Sequence, residues 1–252
     1  MKPMLCEKET AENAKLVFNG SEWLCEEKYD GARAYIHNGN IFSRSNRNIT
    51  KQFPEFDISK FPKADIIDGE IVCNDEFSKT QSRMLTTNSM KIRLMSKHMP
   101  ATFYAFDYIE SGTNQTLLNR KQKLQEAVKG VEWIKLAKQG SFSDMWEYVI
   151  ENGKEGVIMK LKDSLYEQKR SSSWVKVKAW LETEAVFTKL EHHNKGVRLE
   201  TPDGKSVNVN GKQAIDVERE FNKKKYVKCE VQYMEIPDSE AWRFPSFRGV
   251  VQ

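Results

Sequence analysis

The chain of 252 residues contains no apolar run approaching the roughly 18 residues that a membrane span requires. Its first residues, Met1-Lys2-Pro3-Met4-Leu5-Cys6-Glu7-Lys8-Glu9, carry acids early and lack the apolar core of a signal peptide, which reads against export and for a cytoplasmic protein. Cysteine is scarce. Cys6, Cys25, Cys73 and Cys229 are scattered without any C-x-x-C pair, so neither a paired-cysteine zinc site nor a disulfide framework is expected, and a reducing compartment fits. The 4 histidines offer no H-E-x-x-H spacing, and His192-His193 reads as loop surface. Glycine-rich phosphate loops are missing too. Gly204-Lys205-Ser206 has the tail of a P-loop, but Leu199 stands where its first glycine must be, and no G-x-G-x-x-G occurs. If a nucleotide binds, side chains and a metal must hold it.

What is present is a globular composition, 39% hydrophobic and 30% charged, long enough for one large domain or two small ones. The net charge of +4 is unevenly placed. From Lys160 to Lys178, the six bases Lys160, Lys162, Lys169, Arg170, Lys176 and Lys178 meet only Asp163 and Glu167. A second basic cluster is Lys223-Lys224-Lys225 with Lys228. Clusters of this kind suit a polyanionic partner.

Residues 1–20 read as an irregular lead-in. Strands are expected at Trp23–Glu27, Arg33–His37, Ile41–Arg44, Asp65–Cys73 and Ala101–Ile109, with Asn38-Gly39 as a type I′ hairpin turn. Leu117, Leu118, Leu124 and Val128 mark a helix near 116–129. A second helix opens on the capping pattern Ser141-Phe142-Ser143-Asp144 and closes at Gly153. Gly156–Leu161 and Trp174–Trp180 read as further strands. A boundary falls near Trp180–Glu182. Beyond it, short strands, a helix near Gln213–Asn222 and a long strand Tyr226–Ile236 fit a small barrel of the OB type. The expected architecture is therefore α+β: antiparallel sheets with flanking helices over 1–181, then a small OB-fold barrel over 182–252.

The chemistry gathers on Lys28-Tyr29-Asp30-Gly31-Ala32-Arg33. K-x-D-G alone arises by chance in roughly one chain in twenty of this length, so its weight depends on the remainder of the chain. Asp68-Gly69-Glu70 supplies a carboxylate from a strand. Glu155-Gly156-Val157-Ile158-Met159-Lys160 supplies another, then a cation. In Trp174-Val175-Lys176-Val177-Lys178, the alternation puts both lysines on one strand face, roughly 7 Å apart, which is costly unless an anion lies between them. Singly, these strings read as a turn, a helix–strand junction and an amphipathic strand. In this order they resemble the motifs of ATP-dependent DNA ligases, in the covalent nucleotidyltransferase superfamily. Ser43-Arg44, Ile49-Thr50, Phe53-Pro54-Glu55, Phe103-Tyr104-Ala105-Phe106-Asp107 and Arg243-Phe244-Pro245-x-Phe247 extend the resemblance over nearly the whole chain.

The resemblance implies that Lys28 takes AMP from ATP, passes it to the 5′-phosphate of a nick in duplex DNA, and that a 3′-hydroxyl then seals the strand. A lysine of ordinary pKa near 10.4 is neutral in about one molecule in a thousand at pH 7.4, a handicap of about 4 kcal/mol. Neighbouring cations lower that pKa. Lys176 and Lys178 would hold the α-phosphate. Asp30 belongs to the catalytic string. Glu70 and Glu155 would serve Mg²⁺ or the ribose, and Lys160 the nucleotide. Phe106 would stack on adenine. Arg33 and Arg44 would bind ribose or the nick 5′-phosphate, and Arg243 would orient pyrophosphate on domain closure. Two departures stand out: a second terminal arginine expected near Val251 is missing, with Arg248 as the candidate substitute, and Asn46 replaces a glycine after Arg44. The expected protein is monomeric, cytoplasmic or nucleoid-associated, with no membrane partner. With only 27 residues before Lys28 and no long insert in the barrel, it would grip a nick through basic faces alone, with steep salt dependence. Competing readings are an RNA ligase, a GTP-using capping enzyme and a catalytically silent DNA-end-binding protein. NAD as adenylate donor would need domains for which there is no room.

Overall fold

The computed structural model describes residues 2–18, 20–236 and 239–251, without the side chains of 235, 236, 239 and 240. The chain divides into two compact units, Met1–Lys178 and Ala179–Gln252.

The first unit is two mixed sheets with helices. In chain order its elements are β1 (Leu5–Glu9), α1 (Ala11–Val17), β2 (Trp23–Glu27), β3 (Ala32–His37), β4 (Asn40–Ser43), β5 (Ile66–Cys73), α2 (Phe77–Leu85), α3 (Ser89–His98), β6 (Ala101–Ile109), α4 (Leu117–Val128), β7 (Ile134–Leu136), β8 (Gln139–Gly140), α5 (Phe142–Glu151), β9 (Gly156–Leu161) and β10 (Arg170–Lys178). One sheet runs β4-β3-β5-β6-β7 and the other β1-β10-β9-β2-β8. Most neighbours are antiparallel, but β1–β10 and β6–β7 are parallel pairs. The turn at Asn38 and Gly39 has positive φ at both positions, as the hairpin signal requires. Asn46, with φ 63°, takes the left-handed conformation that asparagine tolerates.

Alternation sorts the first sheet. Ala34, Ile36, Ile67, Ile71, Phe103 and Ala105 point into a core completed by Ile41, Phe53, Phe56, Leu124 and Val128. Arg33, Asp68 and Glu70 therefore face the other way. On the second sheet, Trp174, Lys176 and Lys178 share a face by the same rule. Between the two sheets sits a smaller cluster of Met4, Phe106, Ala137 and Trp174, with Cys6, Tyr29 and Tyr166 against it.

The segment before β2 is not an irregular lead-in where it is described. β1 is an edge strand pairing with β10, and Thr10 caps α1 by accepting from the Asn13 N–H. The helices α2 and α3 are also additional to the expected ones. α2 buries Thr80 and Arg83 rather than an apolar stripe; Arg83 donates to Glu55 and to the carbonyls of Gln52 and Met99.

The second unit holds β11 (Leu181–Phe187), β12 (Lys189–His193), β13 (Gly196–Glu200), β14 (Ser206–Asn210), α6 (Gly211–Lys224), β15 (Val227–Ile236) and β16 (Ser239–Val250). They form two three-stranded antiparallel sheets, β11-β15-β16 and β12-β13-β14. Phe187, Leu199, Val209, Val217, Val227 and Val231 make its core, which α6 closes with Ala214 and Val217.

Candidate active site

Lys28 follows β2 at the mouth of the space between the sheets, and its N–H donates to the Gly156 carbonyl at 2.9 Å. Two glycines permit this approach. A Cβ on Gly31 would lie 2.2 Å from the Ile71 carbonyl oxygen, and Gly156, at φ 144°, would place one 2.2 Å from that of Val177. Between them, the glycine of K-x-D-G and the glycine after Glu155 bring β3, β5, β9 and β10 close around one amine.

The Glu155 carboxylate joins two lysines from opposite ends of the unit: its Oε2 meets Lys28 Nζ, and its Oε1 lies 3.3 Å from Lys178 Nζ. Lys176 stands in the same field. Burial first, then Lys28, Lys8 and Lys178, hold its pKa below the ordinary lysine value, although Cys6 works in the opposite direction. Glu70 faces Lys28 and Arg33, with Glu155 and Asp68 also near. Burial dominates, and its carboxyl pKa is pushed up to about 8.

Arg33 is fixed from several sides. It donates to both Asp68 oxygens at 3.1 and 2.7 Å and to the Met4 carbonyl at 2.6 Å. Tyr166 completes this junction, donating to Asp68 Oδ2 at 2.7 Å and accepting from the Met4 N–H at 3.1 Å. The Arg33 guanidinium lies 5.3 Å from the Phe106 ring centroid and 5.7 Å from that of Trp174. A register shift where β5 meets β6 pairs Asp68 with Asp107 and Gly69 with Ala105, leaving Phe106 as the extra residue. Such a bulge re-aims a side chain. Here it turns Asp107 to the side of Asp68 and Tyr108 into the core, while Phe106 keeps the side of Arg33, edge-on to Trp174 at 6.0 Å.

Lys28, Arg33, Glu70, Phe106, Glu155, Lys176 and Lys178 are thus brought together. Asp30 is half-buried beside Lys28. Arg44 is exposed and joins the site through its backbone, donating to the Arg33 carbonyl at 3.0 Å. Lys160 is fully buried: its Nζ is 2.7 Å from Glu26 Oε2, 4.0 Å from the Trp174 centroid and 4.5 Å from that of Phe106. Arg243 belongs to the second unit, on β16 opposite Met234, with its guanidinium 4.7 Å from the Phe244 ring. The residues that the sequence did not point to are Glu26, Lys121 and Tyr166. Glu26 pairs with both Lys121 and Lys160 beneath the Phe106 ring. No alternation along β2 announces Glu26, since Cys25, Glu26 and Glu27 are all buried.

Two facing sheets with a lysine, carboxylates and a paired-lysine strand between them are the build of a nucleotidyltransferase. A family model described as ATP dependent DNA ligase domain matches residues 3–178, and the chain belongs to that family. Among curated proteins, the DNA ligase of Sulfolobus acidocaldarius is 33% identical over 205 residues, covering 71% of this chain and 34% of the relative. The bifunctional non-homologous end joining protein LigD of Bacillus subtilis is 31% identical over 211 residues, covering 69% of this chain and 34% of the relative. The chain therefore spans 34% of the length of these curated relatives. Among solved structures, one from a structure–function analysis of Lig E DNA ligases superposes with a TM-score of 0.75 at 21% identity, over 100% of this chain and 99% of that one. The bacteriophage T7 ATP-dependent DNA ligase in complex with ATP gives a TM-score of 0.54 at 18% identity, over 99% and 98%. Both likenesses concern the fold. No helix among the described residues is long and apolar enough to cross a membrane.

Proposed function

We propose that this chain is an ATP-dependent DNA ligase that seals nicks with a 3′-hydroxyl and a 5′-phosphate. The observation that carries the reading is the convergence of Lys28 and Lys178 on the Glu155 carboxylate, with Lys176 beside them and Phe106 at the back of the same space. In this reading, unit 1 is the adenylation domain and unit 2 an OB-fold domain.

Lys28 Nζ attacks the α-phosphorus of ATP, forming a P–N bond as the bond to pyrophosphate breaks. The developing charge on the α-phosphate falls to Lys176 and Lys178, whose ammonium groups are already in place. Phe106 offers its ring to the base, and Arg33, locked by Asp68 and Met4, presents a fixed donor towards the ribose. Lys28 then yields AMP to the 5′-phosphate of the nick, and the 3′-hydroxyl displaces it. We assign Arg243 to pyrophosphate and Arg44, exposed at its turn, to the 5′-phosphate of the nick.

Mg²⁺ fits the residues present. Glu70 and Glu155 supply carboxylate oxygens, and burial leaves the negative charge of Glu70 short of compensation until a cation arrives. Among the described residues no group of three acids, cysteines or histidines could hold a metal unaided, which suits an ion that takes one or two carboxylates plus substrate phosphates. When bound, it would neutralise charge on those phosphates.

The test is incubation with ATP labelled at the α-phosphate, then with nicked duplexes of DNA or RNA. Stable label on the wild type, none on Lys28→Ala, and discharge with sealing of nicked DNA is the expected result. Preferred sealing of RNA would move the chain to RNA ligation, GTP labelling would move it to capping, and nick binding without label would leave a silent end-binding protein.

A further inference from the structure

Helix α3 turns an unusual face to solvent. Its buried residues are Ile92 and Met95. At about 100° per residue, Arg93, Lys97, Met90 and Leu94 fall in one arc on the opposite side. Met90 is 73% exposed and Leu94 53%, one helical turn apart, and Leu85 at the end of α2 is 67% exposed. Lys91, Arg93 and Lys97 are exposed on the same helix, which contains no acid. Among the described residues none of these three has an acidic partner within ion-pair distance.

A solvated helix face carries charges of both signs and few large apolar groups. Here three large apolar side chains stand to gain from burial, beside cations that have no acidic partner among the described residues. Nucleic acid answers only half of this, since phosphates would match the cations and leave Met90, Leu94 and Leu85 in water. A protein segment answers both. Methionine and leucine on an exposed, polar-rimmed patch are the marks of a protein-binding surface.

We propose that the α2–α3 ridge docks an acidic, amphipathic protein segment, whose large apolar side chains cover Leu85, Met90 and Leu94 while its Asp and Glu residues meet Lys91, Arg93 and Lys97. The site lies on α2 and α3, outside the cluster around Lys28, and the inference does not depend on the ligase reading.

The test is selection of short random peptides by display on the full chain, with counter-selection on Met90→Ser/Leu94→Ser. Both positions are on the surface, and thermal melting checks that the variant folds; Arg93→Glu/Lys97→Glu serves as the second variant. The expected peptides carry net negative charge with large apolar residues, bind the wild type about tenfold more tightly than either variant, and weaken with added salt. Failure to enrich peptides that discriminate the variants overturns the proposal, as does enrichment of basic ones. So does a loss of nicked-duplex affinity in Met90→Ser/Leu94→Ser with nucleotide labelling intact, because the ridge is then a nucleic-acid surface.

Discussion

One carboxylate separates two amines: Glu155 reaches Lys28 Nζ through one oxygen and Lys178 Nζ, at 3.3 Å, through the other. Without nucleotide, this arrangement holds two like charges near each other at little electrostatic cost. In the proposed reaction, a phosphate arriving between the lysines would take over that task and free Glu155 for other ligands. Glu155→Gln keeps the shape and removes the charge. Covalent labelling of Lys28 by ATP is expected to fall on the order of 10²-fold in the variant, with a lowered melting temperature, since Lys28 and Lys178 then face each other without their shared counter-charge. Labelling at the wild-type rate would remove Glu155 from the reaction.

Glu70 makes stability depend on pH in a defined direction. Its folded pKa of about 8 exceeds the ordinary glutamate value of 4.5. Between those values the folded state holds the proton more tightly than the unfolded state does, so stability falls as pH rises across the window. The loss is at most about 1.4 kcal/mol per pH unit, less because Glu70 keeps some contact with solvent. Thermal melts of the nucleotide-free protein from about pH 5 to 8.5 should fall more steeply for wild type than for Glu70→Gln. Parallel curves would place the Glu70 carboxyl in a wetter setting. Added Mg²⁺ with ATP should flatten the wild-type curve.

Tyr166 holds the N-terminal strand to the site. Its hydroxyl accepts from Met4 and donates to Asp68, which in turn fixes Arg33. Tyr166→Phe preserves the ring, edge-on to Trp174 at 5.9 Å, and leaves the buried Met4 N–H without its acceptor. We expect about 1–3 kcal/mol of lost stability. The ATP concentration for half-maximal labelling should rise several-fold more than the maximal rate falls. A rate loss at unchanged ATP dependence would contradict a role through Arg33.

The strands around the site were legible because their alternation is strong: Ile67 and Ile71 inward against Asp68 and Glu70, Val175 and Val177 against Lys176 and Lys178. β1 was not, since Leu5-Cys6-Glu7-Lys8-Glu9 is an edge strand whose partner lies near residue 170, and no local signal announces that pairing. α2 escaped because its buried face is Thr80 and Arg83, made acceptable in the interior only by Glu55 and two distant carbonyls. The bulge at Phe106 is invisible in Phe103-Tyr104-Ala105-Phe106-Asp107: strict alternation sets Phe106 on the side of Tyr104, where it lies, but would have sent Asp107 rather than Tyr108 into the core. Charge reads poorly for the same reason. Lys160 and Lys176 look alike in sequence, yet only Lys176 lies beside Lys28.

Lys160 has no exposed surface, and burial holds its pKa below the ordinary lysine value despite the opposing pull of Glu26. Its ammonium is taken up by Glu26 and the Phe106 carbonyl, at 3.2 Å, between two aromatic rings. In the proposed reaction, a side chain so placed would act on the nucleotide by supporting Phe106 and Trp174. Lys160→Ala keeps the Glu26–Lys121 pair but empties the space beside Phe106 and Trp174, and should cost about 2–5 kcal/mol of stability. Lys160→Met removes the ammonium while filling the space and keeping the Glu26–Lys121 pair, and should recover most of that loss together with ATP labelling of Lys28. If Lys160→Met is stable but unlabelled, the ammonium of Lys160 itself serves the nucleotide, and the support role is wrong.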